Sequence, residues 1–145
     1  MPKDLSTIGF VTAVLAFFFL GISLKGKEAL TDAPVFDRPN PPLRFTVLYD
    51  NYLHKEGTKA DWGFSCLIEG TEKTILFDTG TKPEILMHNV EALNVDLNKV
   101  DLIVISHHHG DHTGGLSAVL ERNPNVTVFF PASFPPEFGR RVESL

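Results

Sequence analysis

DLIVISHHHGDHTGG, residues 101–115, opens with a continuous apolar run from Leu102 to Ile105. Such a run fits a strand buried on both faces. The character then changes within one residue. Ser106 begins a polar turn that carries His107, His108, His109, Asp111 and His112, so four of the chain's six histidines fall within six positions. Imidazole nitrogen suits zinc, and a carboxylate adds a harder oxygen. Just past a strand end, His107 and His109 alternate with His108 and can point the same way. Asp111 and His112, further round the turn, can face a second metal. Gly110, Gly114 and Gly115 let the backbone turn tightly enough to gather these side chains. A merely solvated histidine loop would need neither the apolar strand before it nor the glycines after it. His107, His109, Asp111 and His112 are therefore the candidate metal ligands.

Outward from that turn the pattern alternates between strands and helices. Arg44–Tyr49 is β-prone, and residues 50–61 are polar and loop-like. Gly63–Ile68 and Thr74–Phe77 are two short strands joined by Glu69-Gly70-Thr71-Glu72-Lys73, a hairpin signature. Asp78-Thr79-Gly80 ends the second strand in a turn. Pro83–Leu93 places Leu86, Val90 and Leu93 at helical spacing, with Pro83 suited to the first turn. Gly115–Arg122 is expected to be a short helix and Val126–Phe130 a further strand. The prolines at 131, 135 and 136 lead into a last helix. A hairpin followed by alternating strands and helices gives an α/β fold with a mixed sheet.

The string His107-x-His109-x-Asp111-His112 resembles the signature of the metallo-β-lactamase superfamily. The resemblance runs from about Phe45 to Phe130. It takes in Gly63-Phe64-Ser65, Ile75-Leu76-Phe77-Asp78-Thr79-Gly80 and the strand before the histidines. Within the family, the run from Ser106 to Leu116, with Asp50-Asn51 and Trp62-Gly63-Phe64-Ser65, is most similar to the dihydropterin ribofuranosyl-aminobenzene phosphate synthase-like branch. The fold implied is the amino-terminal half of a four-layer αββα sandwich. The chemistry implied is a centre of two divalent metal ions, zinc before iron or manganese. His107 and His109 would hold the first metal, and Asp111 and His112 the second. Asp78 would stand behind the metal turn and orient it by hydrogen bonds. A hydroxide held between the metals would attack an ester, phosphoester or lactam-like small molecule. Asp111 would also hold a proton during the attack.

The sequence departs from that pattern in one respect. The family draws a third histidine, a bridging aspartate and a last histidine from the second half of its domain. After Leu116 this sequence has neither histidine nor aspartate. Two expectations follow: a hydrolase completed by a further half-domain or a second copy, or a non-catalytic fragment or assembly piece.

The 145 residues favour one folded domain. Residues 1–42 hold four basic and four acidic side chains, and the remainder holds nine basic and fourteen acidic, so the net charge of −5 sits in the body. An acidic body lacking a basic patch argues against nucleic acid as a partner. After a cap of residues 1–7, residues 8–24 (IGFVTAVLAFFFLGISL) carry no charge. They read as one hydrophobic helix, a single-pass membrane anchor in preference to a cleaved signal, with the side of the membrane undecided. Residues 25–42 form a proline-rich tether, and residues 43–145 are the partial domain. Among other candidates, His54 and His88 read as surface residues, and Cys66 as a small buried one. Trp62 suits either the substrate mouth or a cap on the sheet. Asp61 matches no motif, and Arg140-Arg141 reads as a solvated pair.

Overall fold

The computed structural model describes residues 41–144. The expected anchor at 8–24 and all of the tether before Pro41 lie outside the described residues. Among those described, no helix is long and apolar enough to cross a membrane.

Five strands form one mixed sheet in chain order: β1 (Arg44–Tyr49), β2 (Ser65–Glu69), β3 (Ile75–Phe77), β4 (Leu102–Val104) and β5 (Thr127–Phe129). The first three run antiparallel as a meander, while β3, β4 and β5 are parallel. Parallel neighbours need a crossover, and the helical segments supply it. Helix α1 (Pro83–Ala92) and a 3-10 turn (Leu97–Lys99) lie between β3 and β4. The short α2 (Gly110–Thr113) and then α3 (Leu116–Arg122) lie between β4 and β5. Helix α4 (Pro136–Glu143) closes the described chain. Pro83 and Pro136 sit in the first turns of their helices, where a missing N–H costs nothing.

The register sorts the side chains. Leu67, Leu76 and Ile103 are cross-strand partners and fully buried, and they face Leu86, Val90, Val119 and Leu120 of α1 and α3 in one core. A bulge in β1 opposite Cys66 and Ser65 lets consecutive Leu48 and Tyr49 both turn inward. Phe130, Phe134 and Phe138 build a smaller aromatic cluster between β5 and α4, with centroids 4.8–5.4 Å apart.

The other sheet face is apolar but poorly covered. Val47, Cys66, Phe77, Val104 and Phe129 form one register row, and Phe45, Ile68, Ile75 and Leu102 lie in the next. Phe45 is 61% exposed, Val47 45% and Phe129 39%. This corrects the expectation for 101–105. Leu102 and Val104 are only half-buried, because no layer of the described residues packs on their side, whereas Ile103 and Ile105 are buried against the helices. Cys66 is the buried member of this face, and burial pushes its thiol up from the ordinary range. Alkylation at pH 8 should therefore be slow in the native chain and fast in denaturant, as quenched iodoacetamide labelling would read. Equal rates would mean that Cys66 is open to solvent.

Candidate metal centre

Two turns at the carboxyl ends of parallel β3 and β4 make the site, and backbone hydrogen bonds knit them together. Thr79 donates through both N and Oγ1 to the His112 carbonyl, at 2.8 and 3.0 Å. Gly114 N donates to Gly80 O at 2.8 Å, and Gly80 N to Phe64 O at 2.9 Å. The turns are so close that a Cβ at Gly114 would lie 1.8 Å from the Thr81 carbonyl oxygen. The expected polar turn contains a single helical turn, α2, capped by His109. That residue's carbonyl accepts from His112 N and Thr113 N.

Asp78 organises the site from behind. It is 1% exposed and holds a left-handed backbone (φ 56°), uncommon outside glycine and kept here by its surroundings. Its N donates to Val104 O at 2.9 Å, and its carbonyl accepts from Ser65 Oγ at 2.8 Å. Its carboxylate accepts Ser106 N at 2.8 Å, Ser106 Oγ at 2.7 Å and His112 Nδ1 at 2.7 Å. Ser106 Oγ also lies 2.9 Å from His107 Nδ1.

These contacts set the tautomers. A carboxylate only accepts, so His112 Nδ1 must carry its proton. The Ser106 hydroxyl has one proton, and the charged acceptor Asp78 takes it. Ser106 Oγ must then accept from His107 Nδ1–H. In the neutral form of each ring this leaves Nε2 as the lone pair, the arrangement that a metal ligand requires.

The structure brings His107, Asp111 and His112 together, with one ligand atom from each lying within 4.8 Å of the others. His112 Nε2 is 3.6 Å from Asp111 Oδ2. Two imidazoles and a carboxylate are a donor set for a divalent cation. Ligands at about 2.0–2.1 Å from a shared zinc lie about 4 Å apart or less, so the set needs only a rotamer-sized closing. His109 stands outside this trio, with its exposed ring edge-on to His107 at 4.8 Å between centroids. His108 lies between His109, at 5.2 Å, and Phe134, at 5.8 Å between centroids. His54 pairs with Asp50 at 3.2 Å and His88 with Gly57 O at 2.9 Å, and neither belongs to the trio.

Sequence reasoning missed Ser106, although it stood beside the motif. Its role follows from the Asp78 contact, which no spacing rule reports. It also passed over Asp61, which pairs with Lys82 beside the site. The Lys82 ammonium holds the Asp61 carboxyl below its usual range, and Asp61 in turn raises Lys82. The pair is thus intact at neutral pH, and it parts as pH falls through the lowered Asp61 value or rises through the raised Lys82 value. Ser106→Ala removes the link between His107 and Asp78 while leaving every ligand in place. Zinc affinity should fall about tenfold by calorimetry. An unchanged affinity would mean that the hydroxyl orients nothing.

The profile of the Metallo-beta-lactamase superfamily matches residues 63–144. The chain is 42% identical over 87 residues to 7,8-dihydropterin-6-methyl-4-(beta-D-ribofuranosyl)-aminobenzene-5'-phosphate synthase of Methanocaldococcus jannaschii, covering 56% of this chain and 30% of that protein. It is 31% identical over 89 residues to hydroxyacylglutathione hydrolase of Pectobacterium atrosepticum, covering 61% of this chain and 30% of that one. The matches thus span less than a third of each relative's length. Among solved structures, the metallo-beta-lactamase fold protein YhfI from Bacillus subtilis superposes with a TM-score of 0.51 at 14% identity, over 68% of this chain and 42% of that one. That likeness concerns the fold. With more than half its length matched by the family's profile, and with the motif histidines on the turn that closes β4, this chain belongs to the metallo-β-lactamase superfamily.

Proposed function

We propose that the chain carries the metal turn of a binuclear hydrolase centre acting on an ester, phosphoester or lactam-like small molecule. One observation carries the reading: the ligand atoms of His107, Asp111 and His112 converge within 4.8 Å, while the Asp78–Ser106 network engages Nδ1 of both histidines. His109 is the remaining motif histidine and is assigned to the first metal with His107. Zinc is the favoured cation for this donor set, with iron or manganese as alternatives. When bound, such a cation supplies Lewis acidity and lets water act as a nucleophile at neutral pH. Asp78 and Ser106 fix the imidazoles, and Asp111 is the group that holds a proton during attack. Hydrolysis of a generic phosphodiester or lactone by the zinc-loaded chain, supplied with a completing half-domain, should be lost in Asp111→Ala. Full activity in that variant would remove Asp111 from the chemistry.

The apolar face left exposed among the described residues favours a second reading, a non-catalytic piece that another layer covers. Phe45, Val47 and Phe129, from two neighbouring register rows, are the kind of exposed apolar surface that a second sheet covers. The trio also supplies fewer ligands than two catalytic metals need. The occupant proposed is a completing half-domain bearing the missing histidines and aspartate. Adding it as a separate chain should raise zinc affinity and produce turnover. Multi-turnover hydrolysis by the 145 residues alone would point instead to completion across a dimer.

Membrane attachment through residues 8–24 is part of the same proposal. The 145-residue chain should sediment with membranes, and a chain starting at Leu43 should not. Recovery of the longer chain in the soluble fraction with an intact terminus would remove the anchor.

A further inference from the structure

Trp62 is the sole tryptophan of the chain and is 67% exposed, yet its backbone is fixed at two points. Its N donates to Asp61 Oδ1 at 2.7 Å, and its carbonyl accepts from Thr81 Oγ1. Asp61 is itself held by the Lys82 ammonium. On the next residue, Gly63 N donates to Asn51 Oδ1 at 2.8 Å. Gly63 has a φ of 140°, and a Cβ there would lie 2.6 Å from the Asp111 carbonyl oxygen, so only glycine allows this approach to the metal turn. Phe64 N then donates to that same carbonyl at 3.2 Å. The rigid backbone aims the indole at one polar partner: Nε1–H donates to Asp111 Oδ2 at 3.0 Å. That oxygen is the one facing His112 Nε2 at 3.6 Å.

We infer that Trp62 is a positioning residue for Asp111, its indole N–H holding one lone pair of the carboxylate so that the rest of the group stays aimed at the histidines. The assignment rests on the metal reading above. It also explains why a large apolar ring is kept in solvent beside a polar turn. A carboxylate oxygen has room for both a donor and a cation, so the indole N–H is compatible with a metal at the trio. Without the N–H, Asp111 regains rotamer freedom that metal binding must then remove.

A single tryptophan gives a single indole N–H resonance, so the contact can be read by itself in nitrogen-15 correlation spectra of the 145-residue chain. In Asp111→Ala that resonance should move to the position of a free, solvated indole without any metal added. In Trp62→Phe, which keeps a ring but loses the donor, zinc affinity by calorimetry should fall about tenfold. Circular dichroism should be unchanged, because the side chain is mostly exposed. An indole resonance identical in wild type and Asp111→Ala would overturn the contact. Zinc binding by Trp62→Phe equal to wild type would overturn the positioning role while leaving the metal reading standing. Failure of the wild-type chain to bind zinc at all would remove both.

Discussion

Asp78→Ala is expected to be among the most damaging single substitutions in the described chain. It strips the acceptor from Ser106 N, Ser106 Oγ and His112 Nδ1 at once, in a pocket where Asp78 is 1% exposed. Each orphaned donor costs about 1–3 kcal/mol, and breaking a buried charged contact costs about 3–5 kcal/mol. A loss of about 4 kcal/mol would consume much of the stability of a small domain. Asp78→Asn keeps one acceptor oxygen but turns an amide toward a donor, so it should be milder for stability and still weaken zinc binding. Urea denaturation of the three proteins reads this order. An Asp78→Ala loss below about 1 kcal/mol would mean that the network is not what holds the two turns.

Gly114→Ala should be comparably severe for a different reason. The added methyl would sit 1.8 Å from the Thr81 carbonyl oxygen and 2.9 Å from Gly110 O, both backbone atoms that cannot swing aside. Accommodating it means moving the Asp78–Thr81 turn off the metal turn and breaking the 2.8 Å bond from Gly114 N to Gly80 O. Forced overpacking of this kind costs about 3 kcal/mol or more, a fall in Tm on the order of 10 °C. Gly110 is the built-in control, because a Cβ there meets nothing within 4 Å. Gly110→Ala should leave Tm within about 2 °C of wild type. Equal Tm values for the two alanine variants would show that the close approach of the turns is not required.

The contrast between these glycines shows where sequence reading reaches its limit. All three glycines of the turn suggested tight geometry, yet only Gly114 and Gly115 lie against the neighbouring turn, and Gly110 is open. Strand and helix positions were legible because apolar periodicity is local. The boundaries of β1, α1 and α3 fall within a residue or two of the expected ones. The His/Asp group was legible because its side chains are adjacent in sequence. Contacts between distant segments were legible only where the family resemblance supplied them, as for Asp78 behind the histidine turn. Ser106 touches Asp78 across 28 residues, and Trp62 touches Asp111 across 49, and neither separation has a periodic signature. The half-burial of Leu102 and Val104 was illegible for a related reason. An apolar run reports what a strand can bury, and the packed layers decide what it does bury.

The metal turn itself is tested most directly by titrating zinc into the 145-residue chain and into His107→Ala/His112→Ala. One ligand atom from each ring lies within 4.8 Å of the Asp111 carboxylate, and the substitutions remove two of the three donors together with the Nδ1 partners of Asp78 and Ser106. Calorimetry should show zinc binding by the wild-type chain and its loss, by about a hundredfold or more, in the double variant. Equal zinc affinity in the two proteins would contradict the metal centre.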